Sequence, residues 1–311
     1  MTSKKKVIIT PSSFGECGDE PLELLRQAHI DVILNPYHRK MKPDEVIELG
    51  KECQGIIAGV ETLNQQVLSA LPSVRCISRV GVGIDNIDIE YARRHGIIIK
   101  NTPDGPTRAV AELTVGLIFD LLRMISYRDR LIRQGIWNKD MGFLLYGKTV
   151  GIIGLGRIGK KVAEILQLLG VTVVGHDIHP DHGWCKQKNV QLLSLSDLLK
   201  KSDIVSVHVS KLPEGKPLLG KSELALMKKQ AFLLNLSRGE ILDEHALYEA
   251  LKTQSLAGAA LDVYTQEPYA GPLTELGNII LTPHIGSYAK ESRLDMEIQA
   301  VKNLLEVLSE Q

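Results

Sequence analysis

Thr149–Gly170 reads TVGIIGLGRIGKKVAEILQLLG, and few folds can accommodate it. Val150–Ile153 is apolar and β-branched, the length of a buried strand. The turn Gly154-Leu155-Gly156-Arg157-Ile158-Gly159 follows, and then Ile158, Val162, Ile165, Leu166 and Leu169 recur at helical spacing. Gly170 ends the helix, Val171–Val174 begins a second strand, and Asp177 closes the unit about 20 residues past the glycines. Gly154 permits a tight turn, Gly156 lets the backbone approach a pyrophosphate, and Gly159 lets helix and strand pack closely. The unpaired N–H groups at the helix start suit phosphate. Asp177 can accept both ribose hydroxyls and would repel a 2′-phosphate, and Ile178-His179 after it supplies no Arg. NAD is therefore expected rather than NADP. A bare glycine motif is common, but here strand, turn, helix, strand and acid all stand in order. The plainer alternative is a unit of the same fold without a cofactor.

The 311 residues suggest two domains, and 44% apolar content is enough for two cores. Lys and Arg number 37 against 37 Asp and Glu, which leaves no electrostatic footprint for nucleic acid or an anionic membrane. No apolar run reaches spanning length and no signal-peptide core opens the chain, so a cytoplasmic protein is expected. Cys17, Cys53, Cys76 and Cys185 are scattered, as reduced residues would be. His176, His179, His182 and Cys185 lie close together, but their spacing fits no standard ligand set, and no metal is expected. A loop after the second strand explains them more simply.

Short apolar runs at Val7–Thr10, Asp31–Leu34, Gln54–Ala58, Cys76–Val80 and Ile97–Lys100 alternate with helical stretches, which implies a small parallel α/β domain. Arg79-Val80-Gly81-Val82-Gly83 leaves the end of one such strand, where open α/β sheets place ligands. Its glycine amides beside an Arg suit a carboxylate. Asp85 and Asn86 read equally well as turn chemistry, and Asp88 as a helix cap. Thr102–Pro106 marks a crossing, and one long helix is expected over 107–134. Leu113–Leu122 is apolar nearly all round, so that helix should be buried at a domain or subunit interface. Strands at Asp203–Val209, Ala231–Leu236, Ala257–Asp262 and Asn278–Leu281 follow, with the loop Ser210–Pro213 near the nicotinamide ribose. A last helix over about 287–308 carries Leu294, Ile298, Val301, Leu305 and Leu308 as its apolar stripe.

Arg238, Glu267 and His284 each follow the C-terminal end of a predicted strand in the nucleotide half. Hydride transfer from an alcohol needs a base for the hydroxyl proton, and His titrates in the right range. A carboxylate beside it holds the tautomer and stabilises the imidazolium. An Arg grips a carboxylate and polarises a carbonyl. Each has a structural explanation when taken alone; three at one sheet edge point to chemistry.

With these residues in view, the chain from about Cys53 onward resembles the D-2-hydroxyacid dehydrogenase family, most closely its phosphoglycerate dehydrogenase-like branch. The matching stretches are Arg79–Asp88, Asn101-Thr102-Pro103, Ala111–Thr114, Gly154–Gly159, Asn235–Gly239, Asp262 with Glu267-Pro268, and Pro283–Gly286. The resemblance implies a split, flavodoxin-like substrate domain (1–101 with 284–311) and an inserted NAD-binding Rossmann domain (102–283). It implies catalytic roles for Arg238, Glu267 and His284, and substrate carboxylate binding by Arg79, Val80, Gly81, Val82 and Gly83. Gly154, Gly156, Arg157, Ile158, Gly159, Asp177, Ser237 and Asp262 fall at cofactor contacts, and a homodimer is expected through the helix near 107–134. The expected reaction is NAD-dependent oxidation of a small 2-hydroxy acid, first of all D-3-phosphoglycerate, alternatively reduction of hydroxypyruvate, glyoxylate or another 2-keto acid. The family's NAD-sensing corepressors supply a non-enzymatic alternative that a turnover assay separates. Glu61 stands in a loop where some phosphoglycerate dehydrogenases carry a phosphate-binding Arg or Lys, which weighs against a phosphorylated substrate. Glu267 stands where formate dehydrogenases carry Gln, which weighs against formate.

Overall fold

The computed structural model describes residues 4–209 and 216–309; the loop Ser210–Pro213 lies outside them. The chain divides into two compact units, residues 1–106 with 287–311 and residues 107–286. Both crossings fall three to five residues beyond the expected boundaries, and hydrogen bonds explain where. Gly105 is held in the first unit because Ser292 Oγ donates to its carbonyl at 2.7 Å. Gly286 is held in the second because its N–H donates to Asp262 Oδ2 at 2.7 Å.

The first unit is a five-stranded parallel sheet of β1 (Lys6–Ile9), β2 (Asp31–Leu34), β3 (Gly55–Ala58), β4 (Cys76–Arg79) and β5 (Ile98–Asn101), ordered β2-β1-β3-β4-β5. That is the flavodoxin-like order. Both faces are covered, so the strands read as continuous apolar runs rather than alternating ones. Ile8, Ile56 and Ile77 face one core, while Val7, Ile9, Ile57 and Cys76 face the other.

The helix Lys290–Ser309 covers that second core with Met296, Ala300, Val301, Leu304, Val307 and Leu308. Leu294, Ile298 and Leu305 of the expected stripe are only half-buried. The seam is rotated because three polar side chains on this helix turn inward to satisfy loop backbone. Ser292 reaches Gly105, Glu297 accepts from Gly15 N at 2.9 Å, and Asn303 donates to Asn101 O at 3.0 Å.

Glu61 does not face outward from its loop. Its side chain is buried, accepts from Gly59 N at 3.1 Å with both oxygens, and is bonded to Thr10 Oγ1. Burial raises its carboxyl above the ordinary range, against the hydrogen bonds from Thr10 and Gly59. A carboxyl raised in the folded state contributes stability that is present at low pH and lost as pH climbs through the folded value. Glu61→Gln keeps the shape without a charge to bury. Its melting temperature relative to wild type is expected to rise between about pH 4 and pH 8. A difference that stays flat with pH would show that Glu61 does not titrate abnormally.

The second unit is a seven-stranded parallel sheet: β6 (Thr149–Ile153), β7 (Thr172–His176), β8 (Gln191–Leu192), β9 (Ile204–Val207), β10 (Phe232–Asn235), β11 (Gly258–Leu261) and β12 (Ile279–Leu281). Its order is β12-β11-β10-β9-β6-β7-β8, the Rossmann order with one added strand. The long helix expected over 107–134 is two helices, Gly105–Arg123 and Ile125–Arg133. Met124 breaks it at φ 54°, and Asp120 Oδ1 then accepts from Ser126 N at 2.8 Å, so one side chain caps the restart. Within the apolar stretch, Leu117, Ile118, Leu121 and Leu122 are buried, but Phe119 remains exposed. The histidine-rich segment after β7 is a short helix, His182–Gln187, rather than a loop, because Asp181 caps it at Trp184 N and Cys185 turns into the core. No described helix is long and apolar enough to cross a membrane.

Candidate active site

One row of the second sheet organises the site. Strand register aligns His176 with Ile153, Ile153 with Val207, Val207 with Asn235, Asn235 with Leu261, and Leu261 with Leu281. All six strands run in parallel and leave the sheet at this row. The next residues in the chain are therefore Asp177, the glycine turn, His208, the Ser237-Arg238 turn, Asp262 and the His284 turn. The strand order reverses between β6 and β9, where such sheets bind ligands.

At that reversal Gly154 takes φ 92°, and a Cβ there would lie 2.6 Å from His208 O. A Cβ on Gly159 would lie 1.9 Å from Gly154 O, so helix and turn touch at that point. A Cβ on Gly156 would meet nothing within 4 Å, which leaves an open cradle at the start of the helix Arg157–Leu168. Arg157 is exposed beside it and Ile158 is half-buried. Asp177 Oδ2 accepts from Leu155 N at 2.6 Å and Oδ1 from His179 N at 2.8 Å, which ties the turn to the end of β7. This cradle fits a dinucleotide: open space at a helix start for phosphates and a carboxylate at the end of the next strand for a ribose.

Four strands from β6, in the turn after β12, His284 Nδ1 lies 2.9 Å from Glu267 Oε2 and 3.1 Å from Oε1. Glu267 Oε1 also accepts from Tyr264 N at 3.2 Å. With Nδ1 facing a carboxylate, Nε2 is the nitrogen left for proton transfer. The His284 side chain is 52% exposed. His284 sits at φ 54°, a left-handed conformation unusual for a residue with a side chain. Arg238 is half-buried, and its Nη1 donates to Ser237 O at 2.9 Å. Its backbone is fixed by Asn235 Nδ2, which donates to Arg238 O at 2.9 Å. Gly239 follows because a Cβ there would overlap the Tyr264 carbonyl carbon at 2.0 Å.

Ser237 and Asp262, both expected at the cofactor, turn their polar atoms inward. Ser237 N and Oγ both donate to Asn235 Oδ1, at 3.1 and 2.8 Å. Asp262 is buried and accepts from Thr282 Oγ1, Ile285 N and Gly286 N. Burial pushes the His208 imidazole down to about 4, so it is neutral at physiological pH. Its Nε2 lies 2.8 Å from Ser206 Oγ. Sequence reasoning missed Thr282, Tyr264 and His208. Thr282 and Tyr264 lie beside residues already singled out, and only their hydrogen bonds reveal them.

In the first unit, Arg79 Nη1 donates to Val80 O, Val80 and Gly81 are buried, and Val82 is exposed. Gly81 N donates to Thr102 Oγ1 at 2.7 Å. Its amide is thus engaged within the unit. Asn86 serves the turn reading: its Nδ2 donates to Glu61 O at 2.6 Å and Gly59 O at 3.3 Å.

A Rossmann-ordered sheet with a phosphate cradle at its reversal and a His–Glu pair along the same edge defines a dinucleotide-dependent oxidoreductase. Comparison with known proteins sharpens the class. Residues 115–286 match the family model for the D-isomer specific 2-hydroxyacid dehydrogenase NAD binding domain. The glyoxylate reductase of Aeropyrum pernix is 36% identical over 97% of this chain and 92% of its own. The D-3-phosphoglycerate dehydrogenase of Methanocaldococcus jannaschii is 37% identical over 80% of this chain, which spans 49% of that relative. The crystal structure of the TT0316 protein from Thermus thermophilus superimposes with a TM-score of 0.91 at 34% identity, covering 98% of this chain and 97% of that one. This chain belongs to the D-isomer specific 2-hydroxyacid dehydrogenase family. It is an oxidoreductase acting on CH–OH groups, and its cofactor is NAD.

Proposed function

We propose that the protein interconverts a small D-2-hydroxy acid and its 2-keto acid, with His284, Glu267 and Arg238 as its catalytic residues. The observation that carries this is the His284–Glu267 pair at 2.9 Å on the strand row that also bears the glycine cradle. NAD, when bound, supplies the hydride acceptor. In oxidation His284 Nε2 takes the hydroxyl proton, while Glu267 holds Nδ1–H and stabilises the imidazolium. In reduction protonated His284 returns it. Arg238 grips the substrate carboxylate and polarises the C2 carbonyl. Gly154, Gly156 and Gly159 hold the pyrophosphate with Arg157 and Ile158 alongside, Asp177 takes the ribose, and Ser237 and Asp262 border the nicotinamide. In the first unit, Arg79 and the Val80–Gly83 turn are the carboxylate-binding elements.

D-3-phosphoglycerate with 3-phosphohydroxypyruvate is the first pair to test. The second reading, hydroxypyruvate or glyoxylate, is favoured by the loop after β3. With Glu61 turned inward and Gly59 buried, this loop exposes Val60, which is no cation for a phosphate. We further propose a cytoplasmic homodimer. The segment from Ile132 to Tyr146 exposes Ile132, Ile136, Trp137, Met141, Leu144 and Tyr146, more apolar surface than a monomer ordinarily leaves in one place.

The test is NADH oxidation by the purified protein, first sized by light scattering, where twice the chain mass is expected. The panel is 3-phosphohydroxypyruvate, hydroxypyruvate, glyoxylate, pyruvate and 2-ketoisocaproate. A kcat/KM highest for the phosphorylated acid supports the first pair, and one highest for a small unphosphorylated acid supports the second. NADH binding without turnover of any of them would point to a 2-keto acid outside the panel or to a sensor.

A further inference from the structure

We infer that Asp262 acts on the reaction through His284, as a positioning residue that clamps the turn carrying the imidazole. The inference rests on the reading of His284 as the acid–base group and goes beyond it.

His284 at φ 54° occupies backbone space that a residue with a side chain rarely holds unless its surroundings over-determine it. The over-determination comes from one carboxylate. Asp262 Oδ1 accepts from Thr282 Oγ1 at 2.6 Å and from Ile285 N at 2.8 Å, and Oδ2 accepts from Gly286 N at 2.7 Å. The three donors stand on both sides of His284, two residues before it and one and two residues after it. Hydrogen bonds to an ionised acceptor are about twice as strong as neutral ones. Asp262 is 1% exposed, so water does not compete for its oxygens.

The same loop holds the other half of the pair. Tyr264 OH donates to Thr282 O at 2.9 Å, and Tyr264 N donates to Glu267 Oε1 at 3.2 Å. The segment after β11 thereby sets both the imidazole and its carboxylate. If the clamp were removed, the turn could relax toward right-handed backbone and swing the ring off Glu267. A displacement of about 1 Å at a reacting group costs about a hundredfold in rate.

A double-mutant cycle tests this. Asp262→Asn is expected to lower kcat about a hundredfold and to move the midpoint of the pH profile of kcat/KM. Thr282→Val removes one of the three bonds and should lose about tenfold in the same direction. In a His284→Ala background neither substitution should lower the residual rate further, because residues acting as a unit are not additive. Equal losses in both backgrounds would overturn the inference. So would weakened NADH binding with kcat intact, the signature of a direct cofactor contact. If Asp262→Asn does not fold, Thr282→Val and its double variant with His284→Ala decide alone. Full turnover by His284→Ala itself would instead refute the acid–base reading on which the inference rests.

Discussion

His284→Ala is expected to lower kcat by about 10²–10⁴ while leaving NADH affinity at the wild-type value. The loss follows from the geometry. Glu267 lies 2.9 Å from Nδ1, so the proton that leaves or reaches C2–O must pass through Nε2. His208 does not replace it: it follows β9, three strands from β12, and its half-buried imidazole lies against Ser206, held down to about 4 by desolvation. NADH affinity is spared because the cradle of Gly154–Gly159 and Asp177 is built on β6 and β7, at the far side of the strand reversal. His284→Gln separates the two jobs of the ring, since it keeps a polar tip and cannot shuttle a proton; it should be nearly as slow as alanine. Steady-state turnover beside fluorescence titration of NADH gives the answer. A kcat within error of wild type for either variant would remove His284 from the mechanism.

Arg238→Lys carries the second large effect. The guanidinium offers two parallel N–H groups to a carboxylate, whereas an ammonium is a point charge that cannot bind it bidentately or reach the carbonyl oxygen at the same time. Loss of one preorganised donor to a developing oxyanion costs about 10²–10³. A reduction of that size in kcat/KM is expected for Lys, and a larger one for Arg238→Gln. The backbone at this position should hold in both variants. Asn235 Nδ2 bonds the Arg238 carbonyl at 2.9 Å, and Gly239 packs on the Tyr264 backbone; neither contact uses the side chain. Unchanged melting temperature with collapsed kcat/KM is therefore the expected pair of results. Retention of kcat/KM by Arg238→Lys would assign Arg238 to packing and move carboxylate recognition wholly to the first unit.

Both effects depend on residues separated by up to about fifty positions in the chain, and their convergence is a consequence of register. Parallel strands about 4.8 Å apart bring the ends of β10, β11 and β12 within about 10 Å. Asn235, Leu261 and Leu281 share one row. The loops that leave this row carry the chemistry, and the order of the strands decides which loops are neighbours.

Much of this was legible in the residues. The alternation of β-branched runs with helical stretches implied parallel sheets, because only covered strands are apolar throughout. The glycine turn was legible because its function is backbone geometry, which a motif encodes locally. Arg238, Glu267 and His284 could be picked out because each follows the end of a recognisable strand. What remained hidden depended on direction rather than position. Glu61 stands in a loop compared with one that carries a phosphate-binding Arg or Lys, and it points inward to Thr10 and Gly59. The last helix looked like a leucine stripe, and its seam is rotated by Ser292, Glu297 and Asn303, which satisfy loop backbone. The helix after Gly105 looked continuous, and Met124 breaks it in a left-handed conformation.

Sequence by itself determined most strand and helix types, the dinucleotide turn, the acid that follows it and the candidates Glu267 and His284, because these rest on local spacing and side-chain chemistry. Tertiary structure alone decided that Asp262 and Tyr264 hold the His284 turn, that Gly81's amide belongs to Thr102, and that Glu61 is buried. Hydrogen bonds between distant segments settle such matters, since a buried donor or acceptor must find a partner and the fold determines which one lies within reach.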